Sequence, residues 1–572
     1  MLKNYFKIAF RNLLKFKGYA AINILGLAIG LACCMFIIQH LRDEMKHDAH
    51  HESVDRLYRV CSSFKLNGEE TFIAGSPGPL AWGLLEEFPE VEASTRLLVA
   101  PNVNQYLIRR GEYSFFEEDG ILADSNFFQV LSYDFVEGAP ESALLEPYNI
   151  VVSQKMAQKI FGAERALGQT IRVADQWEEH DYKITGVINT KDFPSHIKAN
   201  FFMHIGSGPI GQYFENRVEW AGNNVYYTYI RLKPGASIAS VESKLPAFVE
   251  EKAGTRLREL GFEKGHFTEA VKDIYLTSET EYPIGPRGDI SLIYIFAAIA
   301  AFILLIACIN FMNLSTAKAT VRAREVGVRK VIGANRRMLS GQFFTEALVY
   351  TLMAVLVAQL LGNLSLPIFN QLSGKELTLS FINDPQLLLM MGGILLLTAL
   401  VAGSYPALYL SSFSPVKIFK GNVGDRFSAR QIRKGLVLVQ FIVSIALIQG
   451  IFVVQKQLNY MQEKKLGFEP DAKLVVPLNT PDAMQNYTVL KETLLKNSDV
   501  LDVGGTSAVP GLPNIVDILV FAEGANQDAS IRVMRNWVDP DFMPMMEFEL
   551  LAGRFFDEDR IADTVVSVVI NE

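Results

Sequence analysis

The densest cluster of side chains able to hold a metal is His47, Asp48, His50 and His51. On a helix, His47 and His51 would lie four residues apart on one face and could share a divalent ion. No other stretch offers more chemistry. The pattern G-x-x-x-x-G-K-[ST] is absent, so the chain is not expected to bind ATP itself. No Ser-His-Asp or Cys-His arrangement has supporting local sequence, and Glu86-Glu87 and Glu178-Glu179 read as solvated faces. No catalytic residue, cofactor or resident metal is expected.

The stretch REVGVRKVIGANRRM, residues 324–338, sets five cations (Arg324, Arg329, Lys330, Arg336 and Arg337) against one acid, Glu325. Val328, Val331 and Ile332 fall at i, i+3 and i+4 and make an apolar stripe. Arg322, Arg329 and Arg336 recur every seven residues on another face. Glu325 and Arg329 are spaced as a bracing i,i+4 pair. Gly333-Ala334 is a stop, and Asn335 can cap the next helix. The expectation is a short amphipathic helix at a membrane surface, with its apolar face against the protein and Arg324, Lys330, Arg336 and Arg337 outward. Composition alone would equally make it an orienting anchor that touches anionic headgroups.

The elements around it are apolar. The chain has 572 residues, 49% hydrophobic, and a net charge of −8. That is too apolar for an ordinary aqueous domain, and the charge suggests no attraction to nucleic acid. Cysteine is limited to Cys33, Cys34, Cys61 and Cys308, three of them inside apolar runs, so no disulfide framework is expected. Five uncharged stretches are long enough to cross a bilayer: 19–41, 291–317, 347–370, 385–410 and 435–455. The first follows Lys3, Lys7, Arg11, Lys15 and Lys17. It has a long core and HLRDEMKHD after it, and so reads as a retained anchor. The arm 1–18, the loop 318–346 and the loop 411–434 are all basic, and alternation puts these three on one side, the inside. Outside are 42–290, the short loop 371–384 and the tail 456–572.

Residues 42–290 read as mixed α/β: a β-α-β unit split by a strand-rich lobe inserted at about 115–222. The chain also repeats itself. FPEVEAST, ADSNFFQVLSYDFVEGAP and NIVVSQKMAQKIFG follow the first span. NSDVLDVGGTS, VDPDFMPMMEFELLAGRFF and VSVVINE follow the fifth in the same order, with Asp124-x-x-Phe127 matching Asp539-x-x-Phe542. The second copy stops part-way through the lobe, which is the pattern expected of a shortened version of a longer, duplicated chain.

Together, R-x-R-E-V-G-V-R-K-V-I-G-A and the QFFTEAL that follows resemble the coupling signature of MacB/FtsX-type ABC transporter permeases. NYFKIAFRNLLKFKGYAAINILGLAIG resembles the arm and first span of Bacteroidota-type members, and YPALYLSSFSPVKIFKG the exit from the fourth span. The resemblance implies an α-helical transmembrane protein with a MacB-like periplasmic core domain and an FtsX-like four-span unit, partly duplicated. It makes HHESVDRLYRV a structural entry to the first strand. It implies that Arg322, Arg324, Glu325, Val328, Arg329, Lys330, Arg336 and Arg337 meet a cytoplasmic ABC-type ATPase subunit. The expected role is mechanotransmission that drives efflux or extraction of antimicrobial peptides, drugs or lipoproteins; the alternative is an FtsX-like regulator of a cell-wall hydrolase. Expected partners are the ATPase, membrane lipid, a periplasmic adaptor or outer-membrane protein, and a second copy or an internal pseudo-dimer. The expected place is the bacterial inner membrane, N-terminus cytoplasmic. Gly26-x-x-x-Gly30 marks close helix packing, against the second span or a partner protomer.

Overall fold

The computed structural model describes residues 2–571 except 67, 102, 104, 191–192, 216–217, 318–325, 376, 380–383, 412–425, 465, 470, 512–516, 521–530 and 566. The chain divides into a helical unit, Met1–Met45 with Ile290–Lys464, and a sheet unit, Lys46–Asp289 with Lys465–Glu572.

The helical unit begins with an arm helix, Leu2–Lys15. Lys17–Glu44, Ile290–Ala317, Arg336–Ser373, Pro385–Ser411 and Arg426–Glu463 follow. All five are long and apolar enough to cross a membrane, by length and composition, and are called the first to fifth spans. Two outrun the apolar stretches that announce them. The third continues back through the basic residues to Arg336, because Asn335 caps it: its side chain accepts the Met338 amide at 2.8 Å. Small residues let the first span sit tightly among its neighbours. Leu27, Ala28, Leu31 and Met35 pack with Ala307, Cys308 and Phe311 of the second span and with Ala347, Tyr350, Ala354 and Ala358 of the third.

In the sheet unit the strands are β1 (Leu57–Leu66), β2 (Glu69–Ile73), β3 (Val91–Leu98), β4 (Gln105–Arg110), β5 (Tyr113–Glu118), β6 (Gly120–Ala123) and β7 (Asp134–Gly138). They continue with β8 (Asn149–Ser153), β9 (Thr170–Ala174), β10 (Glu179–Asn189), β11 (Phe201–His204), β12 (Tyr226–Leu232) and β13 (Glu263–Ala270). One sheet runs β13-β1-β12-β3-β6-β11-β8-β10-β9-β4-β5, with β2 on β1 and β7 on β10. The first four strands in this order are mutually antiparallel neighbours. Helix Leu80–Glu87 precedes β3, and helix Ile238–Leu260 links β12 to β13. This is a pair of interleaved β-α-β units, the split β-α-β arrangement. Leu80, Leu84, Phe88, Val241, Leu245 and Phe248 cover one face of it over Val60, Val91 and Ile230.

Strands β4 to β11 form the inserted lobe, which begins after Leu98, earlier than the sequence suggests. Between β3 and β4 the chain breaks at Ala100-Pro101, where proline has no N–H for a ladder. The repeat is visible in three dimensions. Asp124 N–H donates to Arg96 O at 3.1 Å, and Asp539 N–H donates to Gly505 O at 3.0 Å, the matching position. Each aspartate then opens a one-turn helix, Phe127–Val130 and Phe542–Met545. The cation differs. Arg96 holds Asp124 through two guanidinium bonds, at 2.9 and 3.1 Å, whereas Lys491 holds Asp539 at 2.9 Å from the preceding helix.

Candidate functional site

Residues 326–331 are helical, and the turn ends at Gly333, whose φ of +102° suits glycine. Arg322, Arg324 and Glu325 lie outside the described residues, and with them the Glu325–Arg329 brace. Val326 is buried with Leu339, Phe343 and Ala407, which roots the turn between the third and fourth spans. The cations then point inward. Arg329 Nη1 donates to Gln342 Oε1, Lys330 Nζ donates to Ser411 O at 2.7 Å, and Arg336 Nε lies 3.4 Å from Ser411 Oγ. Burial, with Arg336 close by, lowers the Lys330 ammonium from its ordinary value.

Val328, Val331 and Ile332 are 48%, 67% and 80% exposed. The sequence expectation of an apolar inner face and a free outer Lys330 is thus reversed. The physical reason is the end of the fourth-span helix. Lys330 reaches a backbone oxygen in the last described turn, where the helix dipole concentrates partial negative charge, while Arg329 is held by the Gln342 amide of the third span. Arg337 is exposed and, among the described residues, has no ion-pair partner.

Gly26 and Gly30 lie against the second span. A β-carbon at Gly30 would come within 2.8 Å of Ala307 Cβ, and one at Gly26 within 3.1 Å of Asn310 Nδ2. One turn further, Cys34 Sγ donates to Ala300 O at 3.2 Å, so the contact follows a single i, i+4, i+8 stripe.

At the opposite end of the first span the structure brings together charges that no sequence pattern links. Arg42 forks onto Asp384, one bond at 3.1 Å, and reaches Gln386 at 3.0 Å. Lys375 Nζ binds Asp43 at 2.6 Å and also Glu44. The charged Arg42-Asp43-Glu44 is therefore clamped to the ends of the third and fourth spans.

In the sheet unit His47 leaves the histidine cluster, while the His50 and His51 rings stay 4.1 Å apart. The His47 ring stacks on Tyr275 at 3.4 Å, while His51 Nδ1 lies 3.0 Å from Ser132 O. Among the described residues no group of three or more His, Cys, Asp or Glu is placed to hold a metal. Asp48, fully buried at φ +60°, is the centre instead. Its carboxylate accepts Ser195 Oγ at 2.6 Å and His196 N–H at 3.1 Å, and pairs with His196 Nδ1 at 2.8 Å; its own N–H donates to Pro194 O. His196 Nε2 lies 2.7 Å from the Tyr229 hydroxyl of β12. Burial acts to raise the Asp48 carboxyl, but His196, His51 and Ser195 outweigh it and hold it below the usual carboxylate range.

Burial lowers the imidazoles of His196 and His204, takes His50 down to about 4 and His266 to about 3. Unfolding restores ordinary values near 6.5, so the unfolded chain binds more protons below that pH. Stability should then fall as pH drops from about 6.5 toward 4. Thermal unfolding followed across that range should show it, and His50→Gln should flatten the slope.

A cleft of about 2820 Å³ lies within the sheet unit, bordered by Trp177, Tyr227, Phe262 and Tyr282 and by Leu474 and Val475.

Transmembrane helices carrying a split β-α-β domain with an inserted lobe define a membrane permease with a periplasmic-type α/β domain. The MacB-like periplasmic core domain matches residues 20–248, and the FtsX-like permease C-terminal domain matches residues 297–415. The chain belongs to the MacB/FtsX-type ABC transporter permeases, whose members are transporter components. It is 23% identical over 274 residues to the macrolide export ATP-binding/permease protein MacB of Bdellovibrio bacteriovorus, over 47% of this chain and 38% of that protein. It is 22% identical over 277 residues to the ABC transporter permease YknZ of Bacillus subtilis, over 47% of this chain and 61% of that one. The match thus spans less than two thirds of either relative. The periplasmic region of MacB from Actinobacillus actinomycetemcomitans aligns with 38% of this chain and 90% of its own, at 12% identity and a TM-score of 0.25.

Proposed function

We propose that this chain is the permease subunit of an ABC transporter that relays work from a separate cytoplasmic ATPase to its sheet unit. The arm, residues 318–346 and residues 411–434 then face the cytoplasm, and the sheet unit lies across the inner membrane. The observation that carries this reading is the 326–333 turn. Its cations are bonded to the helical ends of two spans, and its apolar side chains are left outward. A push on Val328, Val331 and Ile332 would pass directly into the third and fourth spans. The clamp at Arg42, Asp43 and Glu44 would pass that motion to the first span, which continues into the sheet unit. No polar conduit through the bilayer is needed.

The cleft bordered by Trp177 and Tyr282 suits an amphipathic cargo such as a peptide, a drug or a lipoprotein's acyl segment. MacB of B. bacteriovorus is named for macrolide export, which fits that class. Reconstitution tests the reading: an ABC-type ATPase co-expressed with the chain should co-purify and hydrolyse ATP faster in its presence. A sheet unit that captures a cell-wall hydrolase while the cargo classes go untransported would replace export with regulation.

A further inference from the structure

We infer that the cleft of the sheet unit binds an extended peptide as an added β-strand, laid along residues 500–505 with Leu474, Val475 and Val476 on its far side. The inference deepens the cargo reading of this cleft and rests on it for the peptide's role. The first copy of the repeat shows how such a strand is seated. There β12 lies between β1 and β3 and pairs antiparallel with both. Every β12 residue except Arg231 is buried. The other edge of β3 meets β6, with Leu97 opposite Ala123. The second copy keeps that outer pairing. Thr506, at the position of Leu97, bridges to Val538, and Ser507 N–H donates to Trp537 O at 2.8 Å. The position of β12 is open. Among the described residues, 501–504 and 474–476 make no backbone–backbone hydrogen bond. Both segments border the cleft, and Leu474, Val475, Val476 and Leu501 are 88%, 55%, 53% and 95% exposed. An edge of unpaired N–H and C=O groups beside apolar side chains is a template for strand addition.

Size, packing and charge commit the cleft to a peptide strand. At about 2820 Å³ it exceeds the roughly 300–1,000 Å³ that holds a small molecule. Leu490 and Leu494 of helix Tyr487–Leu494 border it, much as Leu80 and Leu84 lie over Ile230 of β12 in the first copy. In the first copy Arg231 of β12 stands opposite Ala93, and Asp502 holds the matching place in the second. Asp502 is exposed and, among the described residues, has no ion-pair partner. The strand that fits is therefore apolar at alternate positions, with a basic residue set to face Asp502 across the pair.

The test uses the full chain in nanodiscs and a fluorescent peptide with the sequence of residues 225–233, VYYTYIRLK. A second peptide carries Thr228→Pro and Ile230→Pro, which keep apolar bulk but remove two ladder donors. A photo-reactive benzoyl group on the Tyr229 ring of the first peptide maps the contact. The expected result is saturable binding, at least about tenfold weaker for the proline peptide, with photolabels within 474–476 and 500–505. Asp502→Lys, at an exposed position, should weaken binding about fivefold, and Asp502→Glu should keep it. Equal binding of the two peptides overturns the inference and leaves an apolar pocket indifferent to backbone. So do labels confined to β5 and β13, the outer strands of the first-copy sheet, and so does binding lost as the chain dimerises, which would give the edge to a second copy. Capture without export by the reconstituted transporter would keep the strand site and remove its cargo role. Export of a macrolide without peptide capture would keep the transporter reading and sink the strand site.

Discussion

Replacing Val331 and Ile332 together by Asp should lower stimulation of the partner ATPase by more than about tenfold while leaving membrane insertion intact. Both side chains are among the most exposed apolar groups of the helical unit, and both sit on a turn whose base is fixed by Val326. Two carboxylates there would be desolvated on docking without a partner, which costs far more than the lost apolar contact. Val331→Leu keeps the surface apolar and should retain stimulation. Arg337→Glu, at an exposed cation, should mainly alter the salt dependence of association. Full stimulation by the double Asp variant, together with loss in Arg337→Glu, would return docking to the cations. Arg329→Glu and Lys330→Glu should also uncouple the enzyme, for a different reason: they remove the bonds to Gln342 and Ser411 that carry force into the spans.

The second large effect is expected at Asp48. Asp48→Ala leaves the Ser195 hydroxyl and two N–H groups of His196 without their acceptor in a dry site, and places a β-branchless but still strained alanine at φ +60°. The cost should be about 3 kcal/mol or more in stability of the sheet unit, read by chemical unfolding of the purified chain. Asp48→Asn tolerates the left-handed backbone and keeps one acceptor, so its cost should be nearer 1 kcal/mol. The first span ends at Glu44, and Asp48 follows within one helical turn's worth of chain, bonded to residues 194–196 and through His196 to Tyr229 of β12. On the proposed function, motion of the span would enter the sheet unit at Asp48. Asp48→Asn should leave ATPase stimulation unchanged and reduce export. Unaltered unfolding of Asp48→Ala would show that the aspartate carries no load.

Much of this architecture is legible along the chain because local rules specify it. Uninterrupted apolar runs give the spans, Asn335 the start of the third, Gly333 the end of the turn before it, and alternation most strands. The Asp124 and Asp539 repeat is visible as matched spacing, and the structure adds the shared backbone hydrogen bond. The candidate site was legible only in outline. Its position and composition could be read, but its facing could not, because periodicity assigns Arg329, Lys330, Val328 and Ile332 to sides of a helix without saying which side meets a neighbour.

Local sequence rules specify where the five long apolar helices lie and that a short basic segment separates the second and third. The tertiary fold alone brings Lys330 to the fourth span, Arg329 to Gln342 of the third, Arg42 to Asp384 across 342 positions, and Asp48 to His196. The reason is the range of the interactions. Apolar periodicity and capping act within a few residues and are written locally, whereas the partner of a charge is set by whichever unsatisfied helix end or buried donor the fold delivers to it.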